Sequence, residues 1–478
     1  MIQSSFWPNF LFLFLAAVTL TAGENTLKKQ MCECSKVKPE VNAAFEAKHA
    51  SRHKRSTESE GPEDRIVGGY AAENPKPWIA KLWLKKSEFL CGSTVINKRY
   101  LLTAGHCICK VLKCTAGKPD YVAKDELAAY LGVNKHPVKI DNSDIKGNPL
   151  FEYGVESAIA HPEYKVSFDI ALVKLDRDIV FVPNVLEPIC LPTADDKSDV
   201  PSEDKPLEVY IAGWGKTSSD CVTNEFGPIK NLKCKLPFKY RDEENVECSN
   251  SRSPSSKIEE CKSFQKSMKA EYPPSPGTSV IITDGTKNTT CYAFDKGEHG
   301  WCQGVGTDDE FDDNWGWCEA GCKLKKDSER IAPILQETRL EILPLGTCKD
   351  MITSGQYSFV GKNEICAGKK KKFKSTKIFK KEGDKYTQAG NTTDYLGMNK
   401  DGKYAYDYYI AGTDSCAGDS GGPVYRWIND TATLIAVVAR GFGSNNQDGC
   451  AELNYPGIYT RVAKFLDWIQ ENAKDGVC

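Results

Sequence analysis

The sequence has few histidines, only six among 478 residues, and its charges nearly cancel to a formal net charge of −2. This small net charge gives no reason to expect nucleic acid or an anionic membrane surface as the main partner. After the first 23 residues, no apolar run is long enough to span a bilayer. Histidine, cysteine and acidic residues form no cluster with metal-ligand spacing, so we predict no metal and no cofactor.

The first segment, residues 1–23, is typical of a secretory signal peptide, with the apolar core NFLFLFLAAV followed by the small residues of LTAG. The alternative, a membrane anchor, is disfavoured because the apolar run is too short. The chain has 20 cysteines, an even number that fits an oxidising compartment. Sequons at Asn288, Asn391 and Asn429 agree. We therefore expect a secreted, extracellular glycoprotein.

Residues 24–65 are polar and are predicted to be a propeptide, in which the basic run RHKR is either a solvated linker or a cleavage site after Arg55. From Ile66 onward, many short apolar strands alternate with turn signals, which predicts an all-β barrel or sandwich. The last segment, VAKFLDWIQENA, predicts an amphipathic helix. Two polar stretches interrupt this framework and look like insertions: cysteine-dense residues 220–330 and Lys/Tyr-rich residues 368–411.

Three residues have the chemistry of nucleophilic catalysis. His106 follows an apolar strand and suits a general base, although a core histidine is the alternative. Asp169 opens the apolar run DIALVKL, either as a strand-end cap or as the partner of a histidine. Ser420 lies in the glycine-rich turn CAGDSGGP, where backbone N–H groups of Gly418 and Ser420 can stabilise an oxyanion.

With their flanks, these residues resemble the trypsin-like serine proteases of the chymotrypsin fold. The matching stretches occur in the family's order: RIVGG from 65, LTAGHC from 102, DIAL from 169, GWG from 213, CAGDSGGP from 416 and PGIYTRV from 456. The resemblance covers most of residues 66–478, the predicted peptidase domain, apart from the insertions. It implies an all-β, chymotrypsin-like double six-stranded β-barrel with a C-terminal helix, to which a small disulfide-rich inserted module is added.

The resemblance also implies roles for the site residues. His106, Asp169 and Ser420 would form the catalytic triad of a serine endopeptidase that works through an acyl-enzyme. Cleavage after Arg65 would free the amino group of Ile66 to pair with Asp419, so the uncleaved chain should be largely inactive. Acidic Glu63 and Asp64 before the cut predict a separate trypsin-like activating protease.

Substrate preference follows from the same resemblance. Asp414 matches the charge at the base of a trypsin-like specificity pocket, and Gly441 and Gly457 match the small residues of its walls. The resemblance therefore implies protein substrates with Arg or Lys before the scissile bond.

Three positions depart from the family pattern. Ala439 and Arg440 stand where the family usually has serine and tryptophan, and we expect a cation near the pocket mouth that lowers activity on small substrates and disfavours upstream basic residues. Gly105 replaces the usual alanine, a loss that should be tolerable. These departures and the large insertions keep an alternative open: a catalytically weak or inactive protease homologue that acts as a binding or adhesion protein.

Several cysteine pairs are implied by the resemblance: Cys91–Cys107, Cys348–Cys366 and Cys416–Cys450. Cys190 matches a position that often holds the propeptide, with Cys32, Cys34 or Cys478 as partner. The insertion resembles a fibronectin type II module, which implies Cys234–Cys302 and Cys248–Cys318, and Cys261–Cys291 is a further candidate pair.

The insertions also contain candidate ligand-binding residues. Trp301, Trp315 and Trp317 are either the core of the small module or an aromatic face for matrix or glycan ligands. The lysine run at 369–381 is most simply a solvated loop, with an anionic-glycan site or a self-cleavage site as the alternatives.

Overall fold

The computed structural model describes the protein from Cys34 onward with gaps. The described residues are 34, 70–72, 76–87, 89–110, 120–134, 148, 151–164, 167–193, 201, 207–216, 223, 234, 238–240, 243–245, 248–249, 258–268, 279–292, 301–303, 315–318, 332, 334–352, 361–372, 376–392, 396–398, 404–406, 408–410, 414–441 and 456–476. The predicted signal peptide and the sites at Arg55, Arg65 and Ile66 lie outside them. In this described part, no helix is both long enough and apolar enough to span a membrane.

Strands dominate the structure. In chain order the first eight are β1 (Tyr70–Ala71), β2 (Ile79–Leu84), β3 (Phe89–Val95), β4 (Tyr100–Thr103), β5 (Leu127–Leu131), β6 (Glu152–Ala160), β7 (Ala171–Leu175) and β8 (Leu207–Gly213). The others are β9 (Phe238–Tyr240), β10 (Glu243–Asn245), β11 (Ser279–Thr283), β12 (Asn288–Tyr292), β13 (Trp301–Gln303), β14 (Trp315–Trp317), β15 (Gln336–Ile342), β16 (Glu364–Gly368), β17 (Lys370–Lys372), β18 (Thr376–Glu382), β19 (Lys385–Thr392), β20 (Leu396–Met398), β21 (Tyr404–Tyr406), β22 (Tyr408–Ile410), β23 (Pro423–Ile428), β24 (Thr431–Arg440) and β25 (Gly457–Arg461). Three α-helices are described: α1 (Glu259–Ser267), α2 (Leu345–Met351) and α3 (Leu466–Asn472).

The first barrel closes in the order β2-β3-β4-β7-β6-β5. Its strands are short and rich in aliphatic side chains, and β2, β4 and β5 are buried along their whole length. Closure removes the unpaired strand edges that an open sheet would expose. Because β4 and β7 are neighbours, the chain segments that follow β4 and precede β7 meet at one end of this barrel.

The second barrel is an antiparallel sheet in the order β15-β16-β25-β24-β23-β8, which closes because β8 also pairs with β15; β1 adds to β15. The sequence prediction of an all-β fold with two six-stranded barrels is therefore confirmed. Helix α3 packs at the C-terminal end through Leu466 and Ile469, which are buried.

The tryptophans of the cysteine-dense insertion form a small core. Strands β13 and β14 pair, and Trp301, Trp315 and Trp317 are at most 2% exposed. The disulfides Cys234–Cys302 and Cys248–Cys318 enclose this core. With their indoles buried, these side chains do not form the exposed aromatic binding face that the sequence left open.

The two insertions are joined in one four-stranded sheet, ordered β12-β11-β18-β19. Strand β11 of the first insertion pairs in parallel with β18 of the second, and α1 covers one face through Phe264. The Cys261–Cys291 disulfide lies in the same core. We call strands β11, β12, β18 and β19 with α1 the accessory sheet. The lysine run, expected to be a solvated loop, forms strands at residues 370–372 and 376–382, which corrects the loop conformation, whereas Lys377 and Lys380 are exposed to solvent.

A disulfide joins Cys34 to Cys190. Of the three partners that the sequence left open for Cys190, the structure thus selects Cys34. The bond ties the predicted propeptide to the segment between the barrels, where the Cys190 N–H donates to the carbonyl of Ala432 in β24. The sequons Asn288, Asn391 and Asn429 are all exposed.

Candidate active site

His106 lies in a single 3-10 turn, Gly105–Cys107, directly after β4. The Cys91–Cys107 disulfide ties this turn to β3. Asp169 lies two residues before β7, the neighbour of β4, so the barrel brings the two side chains together. The Nδ1 of His106 is 2.7 Å from Oδ2 of Asp169, and the backbone N–H of His106 donates to Oδ1 at 2.9 Å. Both carboxylate oxygens therefore hold the histidine.

The charge of Asp169 controls the protonation of His106. Burial acts to lower the pKa of His106, but the charge and hydrogen bond of Asp169 outweigh it and leave the pKa above its ordinary value. The Asp169 side chain is 9% exposed, whereas His106 keeps 31% of its surface open to solvent. The hydroxyl of Thr460 donates to the backbone carbonyl of Asp169 at 3.0 Å and ties it to the second barrel. This arrangement suits a histidine that takes up and gives back a proton.

Ser420 lies against the same turn from the second barrel. Its carbonyl accepts the Gly92 N–H at 2.7 Å and lies 3.6 Å from Sγ of Cys107. Gly421 has a φ of 80°, and a Cβ there would overlap the Thr103 hydroxyl, so only glycine permits this close approach. The backbone therefore brings Ser420 to the residue next to His106.

The turn before Ser420 is held in one orientation. The Ala417 carbonyl accepts the Lys216 N–H at 2.8 Å. Since the N–H and C=O of a trans peptide point in opposite directions, the Gly418 N–H points away from Lys216. Gly418 has a φ of 102°, which favours glycine. In this orientation the Gly418 N–H faces away from Lys216 and can donate a hydrogen bond to an anion.

Asp419 is buried, with 1% of its surface exposed. Its carboxylate accepts the N–H of Gly215 at 2.8 Å and of Cys416 at 3.0 Å. Burial raises the pKa of Asp419 to about 6, although these two amides and the charge of Lys81 lower it. An ionised Asp419 is therefore stabilised by any additional cation nearby.

Asp414 is also buried, at 2% exposure. The Tyr459 hydroxyl and the Ser415 N–H donate to its Oδ1 at 3.1 and 2.7 Å. Gly457 lies directly beside it, because a Cβ there would be 2.6 Å from Oδ1 of Asp414. Gly441 is exposed at the end of β24. The structure thus brings Asp414 and Gly457 together, next to the turn that carries Ser420.

Arg440 is mostly buried and forms an ion pair with an acidic residue of the second barrel. Its Nη1 is 2.5 Å from Oε1 of Glu364 in β16, and the two side chains are 13% and 0% exposed. The positive charge is thus paired and largely shielded from solvent. The expected position of this cation near the pocket mouth stays a prediction. Sequence reasoning missed Glu364, whose only signal was an acidic residue at the start of the buried run EICAG.

The two other positions that depart from the family pattern, Ala439 and Gly105, lie in closely packed surroundings. Ala439 is buried at 4% exposure. At Gly105, a Cβ would lie 2.5 Å from the ring of Tyr164, so the aromatic ring occupies the space of the missing methyl group. Cys348–Cys366 is a disulfide, and Cys416 is disulfide-bonded, whereas Cys450 lies outside the described residues.

Two closed barrels with this site define the class of protein. A family model described as Trypsin matches residues 66–250 and 382–469, more than half of the chain, and the chain belongs to the trypsin family.

Curated relatives agree with this assignment. The chain is 36% identical over 164 residues to the CLIP domain-containing serine protease B10 of Anopheles gambiae, a match that covers 32% of this chain and 43% of that protein. It is 32% identical over 193 residues to the phenoloxidase-activating enzyme of Bombyx mori, with 37% and 42% covered. It is 22% identical over 429 residues to the serine proteinase stubble of Drosophila melanogaster, with 86% and 32% covered. The chain spans less than half the length of each of these relatives.

Proposed function

We propose that the protein is a secreted serine endopeptidase, made as a zymogen and activated by cleavage after Arg65, that hydrolyses peptide bonds after Arg or Lys. The observation that supports this most strongly is the bidentate hold of Asp169 on His106 in the turn that contacts Ser420. A histidine held only for structural reasons would not need to lie beside a serine on a turn of this geometry.

In the proposed reaction, His106 accepts the hydroxyl proton of Ser420 as the oxygen attacks the substrate carbonyl. Asp169 stabilises the resulting imidazolium, consistent with the raised pKa of His106. The N–H groups of Gly418 and Ser420 stabilise the oxyanion. His106 then donates its proton to the leaving amine, and water hydrolyses the acyl-enzyme by the same steps.

Substrate selection is assigned to Asp414. A buried carboxylate at the base of the pocket pairs with a guanidinium or ammonium group, whereas a substrate with a neutral side chain brings no cation to it, at a cost of about 2–5 kcal/mol. This corresponds to roughly thirtyfold to several-thousandfold discrimination. The proximity of Gly457 supports this role, because a larger side chain there would fill the space over Oδ1.

Activation is proposed to occur within a proteolytic cascade. The name of the Bombyx mori relative describes an enzyme that activates another protein, which supports a protein substrate and an activating protease for this chain. The Cys34–Cys190 disulfide implies that the segment before Arg65 stays attached after the cut.

The test uses the full chain cleaved at Arg65 by a trypsin-like protease. We expect a serine-directed phosphonate to label Ser420 and Arg and Lys esters to be hydrolysed. Asp414→Ser should lower kcat/KM for the Arg ester by about 100-fold or more while changing that of a neutral ester much less. Asp178→Ser, at a side chain that is 51% exposed, is the control and should change neither.

The absence of labelling and of ester hydrolysis would contradict the proposal. If Ser420 of the cleaved protein is not labelled and no ester is hydrolysed, the proposal is wrong and the binding or adhesion protein becomes the better hypothesis.

A further inference from the structure

Lys81 is a buried lysine in the middle of β2. All six residues of this strand are buried, and Lys81 is 1% exposed. Moving an ammonium group out of water costs several kcal/mol unless an opposite charge and hydrogen-bond acceptors compensate. The position therefore calls for a negative charge close to the ammonium, and the proposed chemistry has not used this lysine.

The side chain of Lys81 points to the segment that contacts Asp419. Its Nζ lies 5.1 Å from the centre of the Trp214 ring. Trp214 is flanked by Gly213 and Gly215, and a Cβ on either glycine would overlap the carboxylate of Asp419. Both neighbours of Trp214 thus lie against this carboxylate.

The backbone leads to the same place. Lys81 pairs with Gly92 across β2 and β3, and the Gly92 N–H donates to the carbonyl of Ser420, the residue after Asp419. The charge of Lys81 also acts on Asp419, whose pKa it lowers against the effect of burial. Geometry and electrostatics therefore connect Lys81 of the first barrel with Asp419 of the second.

We propose that Lys81 is a positioning residue, a resident cation that holds the Asp419 carboxylate on the amides of Gly215 and Cys416 and keeps the oxyanion turn formed before cleavage after Arg65. The inference rests on the proposed function and deepens it. It replaces the expectation of a largely inactive precursor with that of a precursor that retains part of its reactivity.

The carboxylate is well placed to control the turn. The carboxylate of Asp419 accepts hydrogen bonds from the two amides, and the backbone N–H of Asp419 donates to the Cys416 carbonyl at 2.9 Å. If the carboxylate left this position, the N–H groups of Cys416 and Gly215 would lose their acceptor. The turn that orients Gly418 would then lose both of these hydrogen bonds. In the cleaved protein, the Ile66 ammonium would supply a second cation, so Lys81 should matter less there.

The experiment compares the cleavage-resistant Arg65→Gln chain with the same chain carrying Lys81→Met. We expect Arg65→Gln to react slowly but measurably with a serine-directed phosphonate, and Lys81→Met to reduce that rate by about tenfold or more. In the cleaved protein, Lys81→Met should change the rate by less than about threefold. Lys81→Arg, which keeps the charge, should restore most of the reactivity in the uncleaved chain.

The pH profile distinguishes positioning from a loss of stability. Reactivity of the uncleaved chain should fall as the pH drops through the Asp419 pKa of about 6. Without Lys81 this pKa rises, so the point of half reactivity moves to higher pH. Tyr459 of β25 also interacts electrostatically with Asp419, but burial raises the pKa of Tyr459 well above its ordinary value, so it stays neutral throughout this range. His106 titrates in both cleaved and uncleaved chains, and the comparison between them removes its contribution.

Lys76→Met is the matched control, because Lys76 is also buried and pairs with Glu337 at 2.9 Å, outside the oxyanion turn. It should lower stability without shifting the pH profile. If Lys81→Met does not fold, Lys81→Gln gives the same comparison.

Provided that the cleaved wild-type protein is active, two results would overturn the inference. One is that the Arg65→Gln chain is labelled at the same rate with and without Lys81→Met. The other is that the Arg65→Gln chain is not labelled at all. An inactive cleaved wild-type protein would instead refute the proposed function.

Discussion

The pair Arg440–Glu364 yields the sharpest prediction of stability. Glu364 is fully buried and Arg440 is 13% exposed, so both charges have left water and neither is screened by solvent. Their strands, β24 and β16, flank β25, and their backbones pair with Ile458 and Thr460 of that strand. Removing one charge leaves the other buried beside the barrel core without this partner.

We expect Arg440→Met to lower the free energy of unfolding by about 3–5 kcal/mol, because the Glu364 carboxylate loses its counter-ion. With an unfolding entropy of about 2.1 cal/mol/K per residue over roughly 400 residues, that corresponds to a decrease in Tm of roughly 3–6 °C. The double variant Arg440→Trp with Glu364→Met replaces both charges by apolar side chains and should lie within about 1 kcal/mol of wild type or be more stable.

The assay is thermal and urea unfolding of the uncleaved chain, read as a double-mutant cycle. Asp120→Asn, which breaks the exposed Lys110–Asp120 pair with side chains 50% and 42% exposed, is the control and should cost less than about 1 kcal/mol. If the single and double variants are destabilised equally, or if Arg440→Met costs no more than Asp120→Asn, the reasoning about this buried pair is wrong.

Two further predictions concern the candidate site. Asp169→Asn should lower kcat by a factor on the order of 10⁴ and move the acid limb of the kcat/KM profile to lower pH, because His106 loses the charge that raises its pKa; an unmoved or raised limb in a pH–rate series would contradict this. Gly105→Ala should lower the free energy of unfolding by about 1–3 kcal/mol in urea, since its Cβ would lie 2.5 Å from the Tyr164 ring, and adding Tyr164→Leu should recover part of the loss; a neutral Gly105→Ala would refute the packing argument.

The barrels could be predicted because their signals are local. Strand runs such as LEVYIAG and TLIAVVAR have the composition and length of buried strands, and the structure has β8 and β24 there. The positions of His106 and Asp169 relative to their strands could also be anticipated. What brings them together is the pairing of β4 with β7, which local pattern alone does not determine.

Three features were not predicted from the sequence, and what each of them does depends on contacts between distant residues. Neither Glu364 nor Arg440 has a sequence context that indicates a partner, and the two side chains meet only because the barrel places both of their strands beside β25. Lys81 interrupts the apolar run WIAKLWL, a signal of a buried charge that sequence reasoning passed over. The parallel pairing of β11 with β18 joins two segments that looked like separate insertions, and parallel strands carry no hairpin signal.

The accessory sheet has a consequence for dissecting the protein into fragments. Because Val280 pairs with Lys377, two strands of the second barrel, β15 and β16, lie in the sequence between partner strands of the accessory sheet. A fragment cut at 220–330 would lack β18 and β19, and β11 would present an unpaired edge that invites aggregation. Deleting 368–411 would expose the same edge in the remaining protein. For expression and truncation, the two insertions and the second barrel therefore have to be treated as a single unit.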